Sequence, residues 1–172
     1  MADFTPKYLD GYTLHCFSAL TNFQELGIDH LQLPAFMPNV PHYFGHLAPT
    51  LRFLALAMPV GSCRQILYFI GLFPHLQDLK INNPIYAKGE ENTGDAALVP
   101  LSIPPLRGRL ILTCFRWRKL LMDMATLFGG LHFTYMDLFM VKYTQSLLRM
   151  CAETLDTLRL YPTDPCCMLF LY

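Results

Sequence analysis

Apolar and polar residues alternate along the chain in one pattern that returns six times. The pattern is Leu-x-x-Leu-x-Leu, with other apolar residues in some of the leucine positions. Clear copies begin at residues 23, 51, 76 and 155, and weaker copies begin at residues 107 and 133. In the copy that begins at residue 107, Arg107 takes the first apolar position. Six copies within 172 residues indicate an internal repeat.

Each copy predicts a short strand, and the segments between copies predict helices. The last two apolar residues of a copy are separated by one residue, so both side chains point to the same face of a strand. Ser62 and Gln65 have the spacing of a helix-capping box before the apolar run 66–73. Residues 117–128 and 145–151 place apolar side chains on one helical stripe, and Gly129-Gly130 is typical of a helix end.

This order of helix and strand predicts α/β units that stack on one another. The intervals between copies are 22 to 31 residues, close to the length of about 20–29 residues that leucine-rich repeats have. A single unit cannot bury its apolar face, whereas stacked units share one core. We therefore predict that residues 1–172 form one domain, an irregular leucine-rich-repeat solenoid. Its parallel strands would line the concave side, and its helices would cover the convex side.

Strand alternation divides the predicted strand residues into a core set and an outward set. The predicted core positions are Leu26, Ile28, Leu54, Leu56, Leu79, Ile81, Leu110, Leu112, Met136, Leu138, Leu158 and Leu160. Outward residues form ladders across the concave face and include aromatic residues and arginine, which dominate protein interfaces. The candidate partner-binding residues are Phe53, Lys80, Arg109, Tyr135, Asp137, Phe139, Arg159 and Tyr161. We predict a protein or peptide ligand here; the alternative is a face that is solvated or covered by chain outside this fragment.

One stretch, residues 83–105, interrupts the repeat. Residues 88–95 are polar, acidic and glycine-bearing, and they lie in the longest interval between copies. Such a composition is typical of surface loops. We predict an exposed loop at 83–105, inserted between two repeats.

Composition and charge exclude several classes of protein. Hydrophobic residues make up 53% of the chain and charged residues 15%, which excludes a disordered chain. Thirteen basic and thirteen acidic residues leave no net charge, so nothing indicates a nucleic-acid partner. The longest apolar run is too short for a membrane span, and the N-terminus lacks a signal-peptide pattern. An intracellular location, cytoplasmic or nuclear, follows by default.

The residues that could carry chemistry are scattered. Six cysteines and six histidines show no zinc-ligand spacing, so we predict no metal and no cofactor. Ser62 and Cys63 follow Gly61 and could form a nucleophile on a tight turn, but no base or orienting group is implied by the sequence. We predict that the chain is not an enzyme. A hydrolase that uses Cys63 or Ser62 is an alternative.

Several strings of the sequence, in their order along the chain, resemble one family. They include residues 64–74, residues 104–110, Tyr135-Met136-Asp137-Leu138-Phe139 and residues 151–164. Together they resemble the F-box/leucine-rich-repeat-like proteins of basidiomycete fungi. In that family an F-box docks a cullin-type ubiquitin ligase and the repeats hold the substrate. The resemblance implies the substrate-recognition part of such an adaptor. The first 20 residues are too few for an F-box, so we expect a fragment that lacks it; ubiquitin-ligase components would be partners only through that missing F-box.

Overall fold

Six short strands form one open parallel sheet in the computed structural model of the chain. The structure describes residues 22–37, 39–86, 106–113, 117–127, 130–139, 149, 151 and 153–161. Its strands are β1 (Glu25–Asp29), β2 (Phe53–Ala57), β3 (Asp78–Asn82), β4 (Arg107–Thr113), β5 (His132–Phe139) and β6 (Thr157–Tyr161). They lie side by side in chain order, and each pair of neighbours is parallel. The predicted α/β class with a parallel sheet is confirmed.

The register of the sheet places equivalent positions of the six copies opposite one another. The fourth position of each copy forms one row across the sheet, which runs Leu26, Leu54, Leu79, Leu110, Met136 and Leu158. The sixth position forms the next inward row, which runs Ile28, Leu56, Ile81, Leu112, Leu138 and Leu160. A slip of one residue would turn every one of these side chains away from the core, so the repeat pattern sets the register.

Helices lie between β1 and β2, between β2 and β3 and between β4 and β5, and they cover the apolar face of the sheet. The described helices are α1 (Leu33–Phe36), α2 (Val40–Phe44), a 3-10 turn (Gly45–Leu47), α3 (Cys63–Gly71) and α4 (Trp117–Leu127). Buried residues of α3 and α4 join the inward strand residues in one hydrophobic cluster. The helices predicted after residues 62 and 117 are confirmed; Phe128 and Gly129 lie outside the described residues. Of the helix predicted over 145–151, Arg149 and Cys151 are described, and both are helical.

Most of the predicted core is buried. Nine of the twelve predicted positions are buried, and Ile28 and Leu158 are partly buried against the same cluster. The prediction is wrong for Leu160, which is 40% exposed. Leu160 lies on β6, the last strand of the described sheet, so among the described strands only β5 pairs with it.

The fourth copy of the repeat differs from the prediction at its first apolar position. Leu106 is buried there, whereas Arg107 is exposed. The pairing of β4 with β5 shifts between Gly108 and Arg109, which marks a β-bulge. Gly108 has φ +96°, and the next amide, that of Arg109, donates a hydrogen bond of 2.8 Å to the carbonyl oxygen of Gln77. The local kink therefore brings Leu106 to the core in place of Arg107.

A repeated turn follows each of the first three strands. The residue after each strand has a left-handed backbone: φ is 54° at His30, 47° at Met58 and 43° at Asn83. Each of these residues donates its amide to the carbonyl oxygen of the last residue of the next strand, over 2.8 to 2.9 Å. Such a conformation is uncommon outside glycine and persists where the surroundings hold it. The turn is therefore part of the repeating unit.

The capping box at the start of α3 is confirmed. The amide of Gln65 donates to the Ser62 hydroxyl oxygen over 3.1 Å, and the amide of Ser62 donates to Gln65 Oε1 over 2.9 Å. Both contacts satisfy amides that the helix itself leaves without partners.

We expect Ser62→Ala to lower the free energy of unfolding by about 1 kcal/mol, because the Gln65 amide loses its acceptor. Urea denaturation followed by circular dichroism measures the loss. Ser62→Thr keeps a hydroxyl oxygen at this position and serves as the control. Equal destabilisation by both variants would contradict the capping role.

The structure describes only the start of the predicted loop 83–105. Residues 83–86 are described, and within them Ile85 forms a short parallel bridge with Val60; residues 87–105 lie outside the described residues. Within the described ranges, no helix is long and apolar enough to cross a membrane.

Candidate partner-binding site

The face of the sheet turned away from the core, here called the outer face, carries the predicted candidate residues. Its first ladder runs Glu25, Phe53, Asp78, Arg109, Tyr135 and Thr157, and its second runs Gly27, Ala55, Lys80, Ile111, Asp137 and Arg159. Tyr161 of β6 lies opposite Phe139 in a third ladder. All the described side chains of these ladders are exposed or partly exposed; the side chain of Phe139 is outside the described part of the chain.

Tyr135 is the centre of the side-chain contacts on the outer face. Arg109 of β4 places its Cζ atom 5.2 Å from the centroid of the Tyr135 ring. Arg159 of β6 places its Cζ atom 5.6 Å from the same centroid. At these distances the π-electrons of the ring attract each guanidinium group. One aromatic ring on β5 thus holds two cations, one from the strand on each side.

Two carboxylates extend this arrangement. Asp78 lies opposite Arg109 in the sheet, and its Oδ1 atom is 3.8 Å from Arg109 Nε. The phenol of Tyr135 donates a hydrogen bond of 3.0 Å to Asp137 Oδ2, within the same strand. Asp78, Arg109, Tyr135, Asp137 and Arg159 therefore form one connected group, here called the arginine–tyrosine cluster.

The protonation states of the cluster follow from its contacts. Partial burial raises the pKa of the Tyr135 phenol, and its hydrogen bond to Asp137 raises this pKa further, while Arg159 lowers it. A side-chain hydrogen bond with Tyr161 raises the pKa of Arg159, and Tyr135 adds to this effect. At neutral pH the phenol of Tyr135 is therefore a hydrogen-bond donor and Arg159 is a cation.

Not all the predicted candidate residues come together. Phe53 lies two strands away from Arg109, and Lys80 lies opposite Ile111 in the second ladder. Asp78 belongs to the cluster but is not among the predicted candidates. Its place opposite Arg109 could have been found by aligning the third and fourth copies of the repeat, since the register follows that alignment.

The alternative nucleophile, Cys63, has the environment of a core residue. Its side chain is buried, and this burial raises the pKa of the thiol. Asp123 raises that pKa too, while a hydrogen bond with Tyr86 and the charge of Lys119 lower it. A raised pKa leaves less thiolate, which is the reactive form. The hydroxyl oxygen of Ser62 accepts the Gln65 amide in the capping box.

We expect the Cys63 thiol to react with iodoacetamide at pH 7 at least about tenfold more slowly in the folded chain than in urea, because it is buried and protonated. Mass spectrometry of the peptide that contains residue 63 measures the rate. The labelling rate of the folded chain should still rise with pH above the usual pKa of a cysteine thiol, because the pKa of Cys63 is raised. Faster labelling in the folded chain than in urea would instead reveal an activated thiolate and favour the hydrolase.

Neither a metal centre nor a similar known protein points to a function for the described part of the chain. Among the described residues, no three histidine, cysteine, aspartate or glutamate side chains are grouped so that they could hold a metal ion. No protein-family model matches the chain, and no curated protein or solved structure is significantly similar to it. The activity of the chain must therefore be inferred from its own residues.

Proposed function

We propose that the chain is a non-catalytic protein-binding module of the leucine-rich-repeat type, which holds a protein or peptide on its outer face. The in-phase repeat, the parallel strands in chain order and the turn shared by the first three repeats support the repeat type. In such a solenoid the outer face is the concave side, and solenoids bind extended ligands there.

The arginine–tyrosine cluster is the observation that carries this proposal. Tyrosine and arginine are enriched among the residues that contribute most to protein interfaces. Here two arginines are already held against one tyrosine. Because these side chains already contact one another, they lose less conformational entropy when a ligand binds than free side chains would lose. Because the three residues come from neighbouring strands, the backbone sheet fixes their spacing.

The face around the cluster suits a ligand that crosses several strands. Ile111 and Ala55 are partly exposed in the second ladder and provide apolar contact area. Phe53 is partly exposed on β2. An extended ligand along the second ladder would thus meet apolar side chains on β2 and β4 and polar side chains on β3, β5 and β6. This mixture is typical of interfaces between separately folded proteins.

We expect the double variant Tyr135→Ala/Arg159→Ala to lose at least about tenfold in affinity for its partners, since each truncation removes a contact of the hot-spot type. The measurement is affinity capture from a native extract, with bound proteins quantified by mass spectrometry. The matched control is Arg64→Ala/Tyr68→Ala, which removes the same residue types from α3 on the other side of the sheet.

The variants must first show the circular dichroism spectrum of the wild-type chain. Partners that the wild type and the control retain, and that the outer-face variant loses, support binding on the outer face. If the outer-face variant captures the same proteins as the wild type in equal amounts, the outer face does not bind them and the proposed site is wrong.

A further inference from the structure

We infer that the ligand of the outer face is an acidic peptide segment, in which two carboxylates contact Arg109 and Arg159. This inference rests on the protein-binding function proposed above and adds the chemistry of the ligand. Its basis is the distribution of charge on the outer face, the state of the two guanidinium groups and their spacing across the sheet.

Charge on the outer face is separated between the two ends of the sheet. The outer-face side chains of β4, β5 and β6 include Arg109, Arg159 and one carboxylate, Asp137, and Arg107 of β4 is exposed as well. At the other end, β1 has Glu25 and Asp29 on this face and no basic strand residue. The whole chain has no net charge, so the positive end arises from placement rather than from composition. An acidic segment is attracted to that end and repelled from β1.

Both guanidinium groups are accessible to a ligand. The side chain of Arg109 is 55% exposed, and its contact with Asp78 joins Nε to one carboxylate oxygen at 3.8 Å. An exposed ion pair with such a contact contributes little to stability. A ligand carboxylate that binds a guanidinium group through two parallel hydrogen bonds is more favourable. Arg159 is exposed as well, and Tyr135 holds both groups in place.

The spacing of the two arginines limits the ligand further. Arg109 and Arg159 lie on strands separated by β5 and in neighbouring ladders, so their backbones are offset by roughly 10 Å across the sheet and roughly 7 Å along it, about 12 Å in all. An extended peptide advances roughly 3.3 Å per residue. Two acidic residues separated by two to four positions can therefore each meet one arginine. Acidic residues that are adjacent, or much farther apart, cannot do so in an extended chain.

Two display libraries of short randomised peptides test this inference. One contains all residue types, and the other is encoded without aspartate and glutamate. Each is selected against the wild-type chain and counter-selected against Tyr135→Ala/Arg159→Ala. We expect peptides that survive both steps to come from the first library and to carry two acidic residues two to four positions apart. Equally tight binders from the acid-free library would overturn the inference and leave the proposed function intact. If neither library yields a peptide that depends on these residues, the inference fails, and the affinity capture described above decides whether the proposed function fails with it.

Two single variants should change the affinity for one selected peptide in opposite directions. Fluorescence anisotropy measures this affinity. Arg159→Gln should weaken binding at least about tenfold, since a charge-assisted hydrogen bond is lost. Asp78→Asn should strengthen binding up to about fivefold, because the carboxylate that contacts Arg109 is then replaced by a neutral amide. Arg64→Gln on α3 is the control and should leave the affinity unchanged. If Asp78→Asn weakens binding, or if substituting glutamine for the peptide's glutamates has no effect, the inference is wrong.

Discussion

Gly108→Ala should destabilise the chain by roughly 3 kcal/mol or more, the largest effect that we expect from the addition of one methyl group. Gly108 has φ +96°, a backbone conformation that alanine adopts only with strain. A Cβ atom placed there would overlap the backbone carbonyl oxygen of Gln77. Because that oxygen accepts the Arg109 amide over 2.8 Å, it cannot move away without loss of this hydrogen bond, which joins the residue before β3 to β4.

The measurement is the free energy of unfolding from urea denaturation, with circular dichroism at several wavelengths to test for a single transition. Gly27→Ala is the matched control. Gly27 lies on the outer face of β1, and a Cβ atom there would meet nothing within 4 Å. We expect the control to change stability by less than about 0.5 kcal/mol. Similar stabilities for the two variants would show that the bulge of β4 is not rigid.

Phe69→Ala should have the second large effect, a loss of about 3–5 kcal/mol. Phe69 lies on α3 and is fully buried. Its ring meets those of Phe44 and Phe73 edge to face, with centroid distances of 5.1 and 5.4 Å. Truncation removes the transfer free energy of the ring and leaves a cavity between α2 and α3. Since the free energy of unfolding of small domains is only about 5–15 kcal/mol, a large fraction of the variant molecules should then be unfolded in mild denaturant.

Phe23→Ala provides the comparison for the same chemical change. Phe23 takes the first apolar position of the first copy, yet it is 40% exposed. We expect its truncation to cost less than half as much as that of Phe69, because less surface leaves water on folding. Thermal and urea denaturation of both variants measure the difference. Equal losses would mean that the first repeat contributes as much to the core as α3 does.

The repeat pattern is enough to assign much of the fold. Alternation with a period of two assigns the inward rows, such as Leu54 and Leu56, and these rows then set the register of the parallel strands. The spacing of Ser62 and Gln65 places the start of α3. These features depend on residues close together in the chain, whose geometry is set by helix and strand periodicity. The same alternation places Arg109 and Tyr135 on the outer face.

Tertiary packing decides what alternation alone leaves open. Register puts Arg159 opposite Asp137, and only its side-chain conformation brings it to the ring of Tyr135. The bulge at Gly108 depends on a carbonyl oxygen from the preceding repeat, which the local pattern does not show. The pattern therefore assigns Arg107 to the first apolar position of the fourth copy, whereas Leu106 is the buried residue. Contacts of this kind join residues that are far apart in sequence. The geometry of these contacts depends on how whole repeats stack, so a local sequence pattern cannot predict it.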